Sequence, residues 1–164
     1  MALKDFMYCA GKNYNLNEML YSCSVTYLKL GNIAKAKEYV EKAIGNDKSI
    51  PKNYHMKGII LAITKDHNAS IKEFTKAIEL DASYFDAWFH RGMAYSSIQN
   101  YAMANLDFSE CINLNPQNNE AYFNRGVSLY HLGNKNKACE DLVKARDLGN
   151  PQAVDYLSMY CDIR

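Results

Sequence analysis

The chain has 164 residues, 48% hydrophobic and 23% charged, a balance that excludes disordered and fibrous classes and allows a real core. Its 19 Lys and Arg face 18 Asp and Glu, a net charge of +1, so no long-range field draws in a nucleic-acid backbone or an anionic bilayer. No apolar run reaches the length of a membrane span, and Met1 to Tyr8 lack the basic head and apolar centre of a signal peptide; the expectation is a soluble cytoplasmic protein with no membrane insertion.

In chain order, residues 1–16 open with Ala2, Phe6 and Cys9, a small-large-small spacing suited to a helix that covers the start of a stack. The same spacing returns about 34 residues later as Ala36, Val40 and Ala43, then as Ser70, Phe74 and Ala77, as Ala104, Phe108 and Cys111, and as Ala138, Leu142 and Ala145. Ahead of each lies another helical pattern, a large apolar residue (Leu20, Tyr54, Trp88, Tyr122) followed by a small one (Ser24, Gly58, Gly92, Gly126). A small residue there lets two helices approach closely. Polar pairs at Gly31-Asn32, Lys65-Asp66, Gln99-Asn100 and Gly133-Asn134 read as turns within helix pairs, and Pro51, Pro116 and Pro151 punctuate the junctions between them. Four units follow, 17–50, 51–84, 85–118 and 119–152, with residues 153–164 left for a final capping helix.

The third unit, from Phe85-Asp86-Ala87-Trp88 through Arg91-Gly92, Tyr95, Ala104 and Phe108 to Leu114-Asn115-Pro116, resembles the tetratricopeptide repeat at nearly every key position. The first unit fits more loosely, with Ser24 in place of glycine and Lys48 where proline or alanine is usual. The resemblance implies an all-α fold, a right-handed α-solenoid of antiparallel helix pairs, and a protein-binding module or adaptor with no catalytic residue and no cofactor.

It also implies that the first helices of successive units line a concave groove. The inward positions are Tyr21, His55, Phe89 and Phe123, one turn further on Val25, Ile59, Met93 and Val127, and beside them His90, Asn124 and Tyr130. An apolar, aromatic strip of this kind favours an apolar peptide or amphipathic helix as ligand. The alternative for any one of these residues is packing against the second helices. The family's clamp for a heat-shock C-terminal carboxylate needs lysines and an arginine in this groove. Its positions here carry Tyr21, Val25, Met56, Asp86 and His90, or one unit later His55, Ile59, His90, Glu120 and Asn124. No cationic Lys or Arg stands among them, so that partner is disfavoured.

Other chemistry finds little support. His55 and His90 fall on successive first helices and suggest a lower-ranked metal or enzyme site, without a ligand motif to back it. The five cysteines, Cys9, Cys23, Cys111, Cys139 and Cys161, are odd in number and widely spaced, and read as reduced thiols. The eight glycines are scattered, with no phosphate-binding loop. Charges such as Lys35, Lys37, Glu38 and Lys42, and Lys72, Glu73, Lys76 and Glu79, read as solvated outer faces of second helices. The segment from Val154 to Cys161 is apolar for a cap, which makes dimerisation through the C-terminal helix an alternative to groove binding.

Overall fold

The computed structural model describes residues 15–161. Apart from Asn15 and Leu16, the capping helix expected over residues 1–16 lies outside them, as does Cys9. Among the described residues every regular element is helical: α1 (Leu16–Lys29), α2 (Ile33–Asn46), α3 (Pro51–Ile63), α4 (His67–Leu80), α5 (Phe85–Ser97), α6 (Tyr101–Leu114), α7 (Asn119–His131), α8 (Lys135–Asp147) and α9 (Pro151–Tyr160). They fall into two compact units that divide between Ala82 and Ser83. The first holds α1 to α4 and the second α5 to α9, and within each unit consecutive helices pack as antiparallel neighbours.

One turn geometry repeats four times. Each first helix ends on a left-handed residue, Gly31 (φ 73°), Lys65 (φ 63°), Gln99 (φ 60°) or Gly133 (φ 79°). Around it the backbone closes a Schellman pair of hydrogen bonds: Gly31 N to Leu28 O with Asn32 N to Tyr27 O, and the same pattern at Lys65, Gln99 and Gly133. In the first three pairs the next residue then caps the second helix, with Asn32 Oδ1 accepting from Lys35 N, Asp66 Oδ1 from Ala69 N and Asn100 Oδ1 from Met103 N, whereas the Asn134 side chain makes no such bond. Chain reversal and helix restart are therefore encoded in two adjacent residues, which keeps the period constant.

Packing within each pair turns on the small residue of the first helix. A Cβ built on Gly58 would meet the Phe74 ring at 2.5 Å, and one on Gly92 would meet Phe108 at 2.8 Å. Phe74 and Phe108 are fully buried, so neither ring has room to retreat. Ser24, the departure in the first unit, fits because its hydroxyl donates to Ala36 O at 2.8 Å across the same contact. Nearby, the buried Asn17 donates to Ala43 O (2.8 Å) and accepts from Asn53 Nδ2 (3.0 Å), a polar tie between α1, α2 and α3.

A second device spans the second, third and fourth pairs from outside the apolar seam. Arg91 donates from Nε and Nη2 to both carboxylate oxygens of Asp107 (2.9 and 2.8 Å), and Arg125 does the same to Asp141 (2.7 and 2.8 Å). Lys57 and Glu73 form the corresponding pair one repeat earlier, at 2.6 Å. Glu73 is thus not part of a freely solvated face, as its sequence neighbourhood suggested, but is drawn onto α3. Burial pushes the Asp107 carboxyl above its ordinary value against the pull of Arg91. Burial also opposes the Arg91 charge, yet the hydrogen bond and charge of Asp107 outweigh it and hold the guanidinium up.

Cys139 on α8 and Cys161 at the end of α9 are joined in a disulfide rather than standing as reduced thiols, with Cα atoms 5.7 Å apart. The cause is tertiary: α9 runs back along α8, so its C-terminal residue arrives beside the start of α8 although 22 positions separate the two cysteines. Cys23 and Cys111 are free, as expected, and both are buried. Burial raises both thiols, Cys111 to about 12, which leaves it inert. The final helix also begins at Pro151, two residues ahead of the boundary at Ala153 that strict periodicity implies.

Candidate functional site

In the first unit the expected groove positions are largely absorbed into packing. Tyr21 and Val25 lie against the core cluster of Tyr27, Ala36, Val40, Met56 and Ile60. His55 is only 6% exposed, its ring 5.7 Å from that of Phe74, and Ile59 is half-buried. At the helix starts, Glu18 and Lys52 form an ion pair, with the Lys52 ammonium 5.0 Å from the Tyr21 ring centroid.

The second unit is different. A cavity of about 480 Å³ opens between α5, α7 and the start of α9, lined by Phe89, Met93, Asn119, Glu120, Phe123, Asn124, Asn150, Pro151 and Gln152. Four of these, Phe89, Met93, Phe123 and Asn124, are groove residues expected from the repeat register. They come together because residues one period apart occupy the same face of adjacent first helices. Phe89 is held by Phe85 (centroids 6.0 Å) and by the edge of Phe108 (5.7 Å), and Phe123 by the edge of Tyr156 (5.0 Å). Met93, 41% exposed, is more accessible than either Phe89 or Phe123.

The remaining expected residues sit outside the cavity lining. His90 Nδ1 lies 2.7 Å from Asp86 O, Val127 packs into the cluster around Leu142 and Leu157, and the Tyr130 ring is 4.3 Å from that of Tyr160.

The polar members divide into anchors and available groups. Asn150 Oδ1 accepts from the backbone N–H of Gln152 and Ala153, and its amide donates to Asn119 Oδ1 at 3.5 Å. Asn119 in turn donates to Leu148 O (3.2 Å), so these two asparagines fix the wall. Asn124 Nδ2 donates to Glu120 O (2.8 Å), which turns its Oδ1 away as an acceptor. Glu120 is exposed at the mouth. The wall made by Asn150, Pro151 and Gln152 was read from the sequence only as a helix junction; its place in the site depends on the early start of α9.

No nucleophile and base are brought together in this lining, and among the described residues no group of three His, Cys, Asp or Glu side chains could hold a metal ion. No helix of the described residues is long and apolar enough to cross a membrane. The geometry offers shape, apolar area and a few hydrogen-bonding groups.

Models of the tetratricopeptide repeat match residues 18–50, 51–84 and 85–118, and a second model of the same repeat matches residues 120–148. The chain belongs to the tetratricopeptide repeat family. Among curated proteins none matches the sequence. Solved structures of similar fold include MamA, 23% identical with a TM-score of 0.81 over 93% of this chain and 90% of that one. YrrB, described as a TPR protein with an unusual peptide-binding site, is 23% identical, with a TM-score of 0.77 over 87% of this chain and 74% of that one. In the Cut9–Hcn1 hetero-tetramer a chain 18% identical matches with a TM-score of 0.80, over 88% of this tetratricopeptide repeat chain but 30% of its own length. At these identities the likeness establishes the all-α repeat fold and carries no ligand across.

Proposed function

We propose that this protein is a non-enzymatic interaction module or adaptor that captures an apolar peptide segment of a partner protein on the first helices of its second unit. The observation that carries this reading is the cavity of about 480 Å³ floored by Phe89, Phe123 and Met93 and rimmed by amides. Its size lies at the lower end of the roughly 300–1,000 Å³ range of ligand sites, suited to one or two anchoring side chains. The peptide-binding description of YrrB, which shares the fold, supports the same class of ligand.

The sharpest test is Met93→Glu. Met93 is exposed and outside the buried core, so a carboxylate there leaves folding unchanged while placing a charge against an incoming apolar group. Phe89 is a poorer choice, since it packs on Cys111, Ile112 and Ala121 and its loss would cost stability too. Capture of partner from cell extract, followed by mass spectrometry, is expected to be lost at least tenfold (about 1.4 kcal/mol) in Met93→Glu with circular dichroism unaltered. Undiminished capture removes the assignment.

Self-assembly through α9 is supported by a separate observation: Val154 and Met159 are 53% and 69% exposed on the final helix. If they join two copies, sedimentation of the intact chain gives a dimer mass and the Val154→Asp, Met159→Asp variant a monomer mass. A monomer in both cases excludes this mode.

A further inference from the structure

The charges around the groove differ between the two units in a way that specifies its ligand. One position in the first turn of every first helix is occupied in succession by Glu18, Lys52, Asp86 and Glu120. In the first unit the two charges are opposite and satisfy each other as the Glu18–Lys52 ion pair. In the second unit both are acids, both exposed, on the neighbouring helices α5 and α7. The ion pairs of that unit among the described residues are Arg91–Asp107, Arg125–Asp141 and Arg146–Asp147, and neither Asp86 nor Glu120 belongs to one.

The arginines that these helices carry cannot neutralise them. Arg91 and Arg125 are locked in two-point contacts with Asp107 and Asp141 on the second helices. No lysine or arginine lines the cavity. Each helix start carries roughly half a positive charge from its dipole, which weakens the field of each carboxylate without cancelling it. Glu120 lines the cavity one turn before Phe123 and Asn124, and Asp86, outside the lining itself, holds the equivalent position one turn before Phe89 and His90 on α5.

We propose that the occupant is a peptide segment carrying a lysine or arginine beside an apolar side chain. The apolar group enters against Phe89, Met93 and Phe123, the cation lies between Asp86 and Glu120, and Asn124 Oδ1 accepts one of its N–H groups. This rests on the groove reading above and adds its charge preference, which is the reverse of a carboxylate clamp.

The test uses the full chain and three short capped peptides, identical except that one phenylalanine is flanked by lysines, by glutamines or by glutamates. Fluorescence anisotropy of dye-labelled peptides is expected to rank them lysine, glutamine, glutamate, with about threefold to tenfold between neighbours at low salt. The ranking should collapse in the Asp86→Asn, Glu120→Gln double variant and shrink as salt rises. Equal affinity for all three peptides, or a ranking that survives the double variant, overturns the charge assignment. If Met93→Glu still abolishes capture in that case, the groove stands without it. Binding of none of the three overturns both.

Discussion

Replacing Asp107 by alanine is expected to lower the stability of the unit that contains it by about 3–5 kcal/mol. The Asp107 side chain is 1% exposed and meets the Arg91 fork with two hydrogen bonds. Its removal leaves a guanidinium that is mostly covered, lying 4.8 Å from the Trp88 ring and 5.9 Å from Tyr95, without the carboxylate that met both arms of its fork. Since whole domains are stable by roughly 5–15 kcal/mol, this one truncation removes a large share. Urea denaturation followed by helical ellipticity should show an earlier midpoint with an unchanged slope. An apolar pair in place of both, Arg91→Met with Asp107→Leu, should recover most of the loss, because the penalty comes from the stranded charge rather than from the missing attraction. The exposed Glu38–Lys42 pair provides the contrast, and Glu38→Ala should leave the midpoint where it was. A midpoint for Asp107→Ala within error of the parent would show that the pair is idle.

These pairs also mark where the sequence was legible and where it was not. Lys57–Glu73, Arg91–Asp107 and Arg125–Asp141 recur at the repeat period, so a signal for them existed. It was hidden because charge on a second helix looks the same whether it faces water or reaches back to its partner. The apolar pattern was unambiguous: α3, α5 and α7 begin at Pro51, Phe85 and Asn119, where the period puts them, and the close approach of Gly58 to Phe74 follows from residue size alone. For the site, register identified the right face but not how far neighbouring side chains cover it. His55 and Phe89 hold the same repeat position, yet one is tucked against Phe74 while the other lines an open cavity. The wall from Asn150 to Gln152 was out of reach, because it depends on a connection that shortens after α8 and starts α9 early.

That same early helix makes the disulfide the second large effect. Cys139→Ser, or reduction of the pair by a dithiol, is expected to destabilise the second unit by up to about 3 kcal/mol, the chain-entropy value for a loop of this order; the bond spans 22 positions. The loss should be local before it is global. Helix α9 has ten residues, too few to persist alone, and is held by Ala153 and Leu157 in the core and by Tyr156 and Tyr160 against Phe123 and Tyr130. Hydrogen exchange should therefore rise first in the amides of α9, while those of α5 and α6 remain protected. Because Pro151 and Gln152 wall the cavity, peptide affinity should fall in the same variant although no cavity residue has changed. Disulfides persist in oxidising surroundings and open in reducing ones, so the groove's C-terminal wall is tied to the redox state around the protein. Identical exchange in α9 with and without the dithiol would show that packing alone holds the helix, and the coupling between bond and groove would be gone.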